Sequence, residues 1–153
     1  MQIPRDAMVV VADGRKMLLF RNDGDAQYPK LEVVTHEEKD IPATRDIGTD
    51  APGRNQQAGG LGGVAGYEQT DFHQLEEDRF AAETAEMLRM RALKNEFSQL
   101  IVVAPPKALG ELRKHYHKEV EARIIGEIAK DITNRPTNEI EKLIASTETK
   151  GTA

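Results

Sequence analysis

Two short apolar runs open the chain, Met8-Val9-Val10-Val11-Ala12 and Met17-Leu18-Leu19-Phe20, with Asp13-Gly14 between them. Two such runs around an Asp-Gly pair predict an antiparallel hairpin, because both central residues tolerate positive φ. The turn formers Asn22-Asp23-Gly24-Asp25 and Tyr28-Pro29 follow, and then Leu31 to Glu37. In that stretch Leu31, Val33 and Thr35 share one side and Glu32, Val34 and His36 the other, which predicts a third strand with a loosely specified register. From Glu38 to Thr70 the periodicity vanishes. Asp71 to about Glu96 then carries Ala81, Ala85, Leu88 and Ala92 at spacings of four, three and four, the mark of a helix with one small-residue face against a sheet. Glu83, Glu86, Arg79 and Arg89 fall on its solvated side.

Leu100-Ile101-Val102-Val103-Ala104 is apolar without a break, as expected of a strand covered on both faces. Pro105-Pro106 ends it and opens a helix on which Leu109, Leu112, Tyr116 and Val120 recur at three, four and four. Residues 121–132 are ambiguous. Val120, Ile124, Ile128 and Ile132 fit a helix, whereas Ile124-Ile125-Gly126 favours a strand. Pro136 and Asn138 introduce a last helix with Ile140, Leu143 and Ile144, and the polar residues from Thr147 onward predict a frayed tail. The order β-β-β-loop-α-β-α-β-α predicts an α/β protein with a mixed five-stranded sheet and helices packed on it.

The aperiodic stretch is the unusual part. Seven of the twelve glycines, at 48, 53, 59, 60, 62, 63 and 66, lie in it. A structureless segment of this length is uncommon inside a domain unless it is functional or disordered, so residues 38–70 are expected to form a flexible, glycine-rich arm within a single 1–153 domain. Arg54, Gln56, Gln57, Gly59 and Gly60 are its expected partner-binding tip. Backbone nests there could cradle phosphate, but the segment has no P-loop pattern and holds Glu38, Asp40, Asp46, Asp50 and Glu68 against Lys39, Arg45 and Arg54.

Composition narrows the chemistry. The 153 residues carry 26 acidic and 21 basic side chains, a net charge of −5, and no Cys. Disulfide scaffolds, thiolate metal sites and Cys nucleophiles are thereby excluded, and there is no global pull toward DNA. The first residues show neither the basic nor the apolar region of a leader, and no apolar run spans a bilayer, so no membrane insertion and a cytoplasmic location are expected. Both serines, Ser98 and Ser146, lack a nucleophile-elbow context. Asp13 reads as a turn residue rather than a nuclease carboxylate. His115 and His117 point about 200° apart on the predicted helix, which argues against a shared metal. Together these features predict no catalytic residues, metal or cofactor. The one locally basic helix, with Lys107, Arg113, Lys114 and Lys118, is the candidate RNA-contacting face.

The segments VVVADGRKMLLF, DFHQLEEDRFAAETAEML, LIVVAPPKALGELRKHYHKEV and EIAKDITNRPTNEIEKLI together resemble the bacterial host attachment protein family, over nearly the whole chain. That family is similar to the middle domain of eukaryotic and archaeal class-1 peptide-chain release factors. The resemblance implies a ribonuclease H-like fold and contacts with a protein partner, the ribosome or tRNA. In those release factors the loop before the long helix bears a Gly-Gly-Gln tripeptide. Here the matching loop has Gly59-Gly60-Leu61 and Gly62-Gly63-Val64, with Gln56 and Gln57 before the glycines. The resemblance with this departure implies a non-catalytic interaction protein, with a translation factor as the first alternative and a metal-dependent nuclease as the weakest.

Overall fold

The computed structural model describes residues 1–39 and 62–147, with side chains in the second stretch from residue 72 onward. Three strands come first: β1 (Met8–Ala12), β2 (Lys16–Asn22) and β3 (Leu31–Glu38). Helix α1 (Gly62–Leu93) leads into β4 (Leu100–Ala104), α2 (Pro106–His115), the one-turn α3 (Lys118–Glu121), β5 (Ile124–Ala129) and α4 (Thr137–Ser146). The strands form one sheet in the order β3-β2-β1-β4-β5. Pairing is antiparallel for β1 with β2 and β2 with β3, and parallel for β1 with β4 and β4 with β5. This is the expected mixed α/β architecture, and its strand order is consistent with the ribonuclease H-like expectation.

The central pair explains the sequence pattern. Val9 to Val11 of β1 lie opposite Ile101 to Val103 of β4, and all of these side chains are buried. Alternate residues feed two cores. Met8, Val10, Ala12, Leu100 and Val102 pack with Phe80, Ala81 and Leu88 of α1 and Leu109 and Leu112 of α2. Val9, Val11, Ile101 and Val103 pack on the opposite face with Ile140 and Ile144 of α4. A strand with helices on both sides has no wet face, so its sequence is apolar throughout. β3 lies at the sheet edge, mostly exposed, and its pairing slips at Leu19 and Phe20 of β2.

One ambiguity closes and two expectations need adjustment. Residues 121–132 contain a strand, since β5 hydrogen-bonds in parallel beside β4. The long helix begins at Gly62 rather than Asp71, so residues 62–70, read as the end of the arm, are helical. Glycine lowers intrinsic helix propensity by about 1 kcal/mol per residue, which is why the sequence reads as loop there. The helix after Pro105 also does not run through to Val120. Tyr116 takes an extended conformation (φ −64°, ψ 133°), and His117 caps α3 by accepting the Glu119 N–H at 3.0 Å on Nδ1. The bend still lets Tyr116 and Val120 reach the same core as Leu109 and Leu112. Residues 40–61 and 148–153, which hold most of the arm and the end of the tail, lie outside the described residues.

Candidate functional site

Arg54, Gln56, Gln57, Gly59 and Gly60 lie outside the described residues. The chain enters their segment at Lys39, whose N–H donates to the Arg15 carbonyl at 2.7 Å and whose ammonium lies 3.1 Å from Glu83 of α1.

The basic residues around α2 do not form an open cationic face. Arg113 donates to Glu127 of β5 at 2.7 Å, and Lys114 pairs with Glu111 at 2.9 Å. Lys107 is 3.6 Å from Glu77 of α1. The Glu127 and Glu111 carboxylates hold the Arg113 guanidinium and the Lys114 ammonium above their ordinary pKa values. Lys118 opens α3 beyond the bend, so the four cations sit on two helices rather than one. Such exposed pairs are screened by solvent and open readily, so they leave the cations able to exchange partners.

The two histidines part company at the same bend. His115 Nε2 is 3.1 Å from Asp78 Oδ1 of α1, while His117 serves as the cap of α3. The hydrogen bond from His115, followed by one involving Glu111, lowers the Asp78 pKa. Among the described residues, no group of three or more His, Asp or Glu side chains is placed to hold a metal ion.

Asp13 sits where the hairpin reading puts it. Its Oδ1 accepts the N–H groups of Arg15 and Lys16, both at 2.7 Å, closing the turn between β1 and β2. Its Oδ2 accepts the Thr133 hydroxyl at 2.8 Å, a tie to the chain beyond β5. Next to it opens a cavity of about 290 Å³, walled by the Asp13-Gly14-Arg15 turn, by Glu77 and Ala81 of α1, and by Lys107 and Glu111 of α2. It lies over the carboxyl ends of β1 and β4. From β1 the chain turns to β2 on one side, and from β4 it passes through α2 to β5 on the other. A crevice outside the carboxyl ends of adjacent parallel strands whose connections diverge is where open α/β sheets bind ligands.

Sequence reasoning singled out Asp13 and Lys107 of this wall, but not Arg15, Glu77, Glu111 or Asp131. Glu77 and Glu111 look like ordinary solvated helix positions when each helix is read alone. The readable signal is a charged residue soon after each of the two most apolar strands, Asp13 after β1 and Lys107 after β4.

The described fold can be set beside known proteins. A model of bacterial archaeo-eukaryotic release factor family 12 matches residues 6–144. The chain belongs to this family. Membership in a release-factor family agrees with the release-factor likeness of the segments quoted above, and the match runs from before β1 to the last turn of α4. Among curated proteins none matches the chain. In this release-factor-like chain no described helix is long and apolar enough to cross a membrane.

Proposed function

We propose that the chain is a translation-related factor that works by binding the ribosome or tRNA, and that it does not itself hydrolyse peptidyl-tRNA. The observation that carries this reading is the release-factor family match across residues 6–144. Its non-catalytic part is supported by the sequence, which has glycine pairs at 59–60 and 62–63 but no Gly-Gly-Gln. The glycine-rich segment around Arg54, Gln56, Gln57, Gly59 and Gly60 is the contact element, and the host-attachment likeness fits the same reading as an effect of such contacts with a protein partner. Lys107, Arg113, Lys114 and Lys118 supply the cations for phosphate, in exchange for carboxylate partners that cost little to release.

Sucrose-gradient sedimentation of lysate tests the reading. Co-migration with ribosomal particles that is lost at high salt is the expected result, because each phosphate contact releases counterions and steepens the salt dependence. Recovery only in the free-protein fractions at low salt overturns it. Deleting residues 52–61, which leaves α1 whole, is expected to abolish co-migration, while Lys114→Glu combined with Lys118→Glu weakens it. Peptidyl-tRNA hydrolysis by the purified chain would refute the non-catalytic part.

A further inference from the structure

The cavity beside Asp13 is walled by residues that the ribosome-binding reading does not use, apart from Lys107. We propose that it is a binding site for a small basic amino acid, a ligand with one carboxylate and two cationic nitrogens on a short aliphatic stem. This goes beyond the ribosome-binding reading and does not depend on it.

Size sets the first bound. At about 290 Å³ the cavity lies at the lower end of ligand pockets, which favours a molecule of amino-acid or monosaccharide size over a dinucleotide or peptide. Charge sets the second. Among the described residues the lining carries the carboxylates of Asp13, Glu77, Glu111 and Asp131 and the cations of Arg15 and Lys107, four negative against two positive groups, or −2, with Glu111 paired to Lys114 from outside the lining. A phosphate ester brings two further negative charges into a negative chamber and is repelled. A ligand with a net positive charge and one negative end is complementary to both kinds of wall.

The partners already made by the lining show which groups can take the ligand. Lys107 Nζ and Glu77 Oε1 are 3.6 Å apart, beyond a normal hydrogen bond, and neither makes a hydrogen bond to another described residue. They are a donor and an acceptor 3.6 Å apart on the cavity wall. A ligand carboxylate that accepts from Lys107 and an α-ammonium that donates to Glu77 replace one long ion pair by two charge-assisted hydrogen bonds. Asp13 cannot swing away, because the Arg15 and Lys16 N–H groups and the Thr133 hydroxyl hold both of its oxygens. Its Oδ2 accepts one hydrogen bond from a described residue and can take a second, so this lining carboxylate is an acceptor for a second cationic nitrogen. Buried Ala12, Ala81 and Leu112 line the chamber between the charged groups and suit a run of methylenes.

Titration calorimetry on the full chain tests this with L-lysine, L-arginine, L-leucine, cadaverine and AMP as probes. Saturable binding of L-lysine or L-arginine is expected. Cadaverine lacks the carboxylate and L-leucine the second cation, so each binds about tenfold more weakly or worse, as loss of a charge-assisted contact predicts. Lys107→Met is expected to reduce affinity for the basic amino acid about tenfold and leave cadaverine unchanged. Glu77→Gln weakens both. The Lys107 side chain is 68% exposed, so its removal leaves the fold intact, which an unchanged melting temperature verifies. No saturation by either basic amino acid, cadaverine binding as well as L-lysine, a preference for AMP, or unchanged affinity in a folded Lys107→Met protein each overturns the proposal. Sedimentation with ribosomal particles is read separately and stands or falls on its own.

Discussion

Asn22 is the residue that ties the amino-terminal segment to the β2–β3 turn. It is fully buried, and its amide donates to the carbonyls of Ile3 at 2.8 Å and Pro4 at 3.2 Å. Its Oδ1 accepts from Gly24 N at 2.9 Å and Lys30 N at 2.8 Å. Asn22→Ala strands backbone donors and acceptors on both sides at once, so a loss of about 2–4 kcal/mol in denaturant unfolding is expected. A loss below about 0.5 kcal/mol would show that water replaces the amide without penalty. Tyr116 is the converse case. Its hydroxyl is buried without a hydrogen-bond partner among the described residues, and burial, reinforced by the nearby Glu127, pushes the phenol above its ordinary value of 10.0. The unfolded chain therefore gives up this proton from about pH 10 while the folded protein keeps it, and stability falls as pH rises through that range. Tyr116→Phe is expected to be neutral or slightly stabilising at pH 7 and to flatten the alkaline limb of the melting curve. Destabilisation by more than about 1 kcal/mol at pH 7 would mean that the hydroxyl has a partner after all.

Between elements, the hydrogen bond from His115 to Asp78 clasps the end of α2 to α1. Because it lowers the Asp78 pKa from 3.8, its contribution is present above that pH and is lost as pH falls through the lower folded value. Asp78→Asn is expected to lower the melting temperature slightly at pH 7, where the parent holds this contribution, and to converge with the parent at low pH, where the parent has lost it too. An identical acid limb in the variant would show that the clasp is not linked to folding. The same elements show what the sequence made readable. β1, β2, β4 and α4 were legible because burial imposes a period or an unbroken apolar run on the residues themselves. The break at Tyr116 was not, since Leu109, Leu112, Tyr116 and Val120 keep one helical period across two helices, and only the tertiary choice of His117 as cap separates them. The start of α1 was hidden by Gly62, Gly63 and Gly66, which speak for loop locally. The cavity was hidden because Glu77 and Lys107 are remote in sequence and meet only when α1 and α2 lie side by side.

For the whole molecule, the strand order β3-β2-β1-β4-β5 divides the sheet at one place. Everything on one side of the β1–β4 boundary comes from residues 1–39 and everything on the other from residues 62–147. Four parallel residue pairs, from Met8 with Leu100 to Val11 with Val103, stitch the two along that line. The helices reinforce it: α1 packs on Met17 and Leu19 of β2, and Glu141 of α4 accepts the Leu31 N–H of β3 at 2.7 Å. The two stretches are thus interlocking pieces, neither of which can cover its own apolar surface. Separately encoded fragments 1–61 and 62–153 are expected to aggregate alone and to copurify when produced together, recovering the circular dichroism spectrum of the intact chain. Such a protein is a ready-made complementation pair, in which restored assembly reports that two halves have met inside a cell.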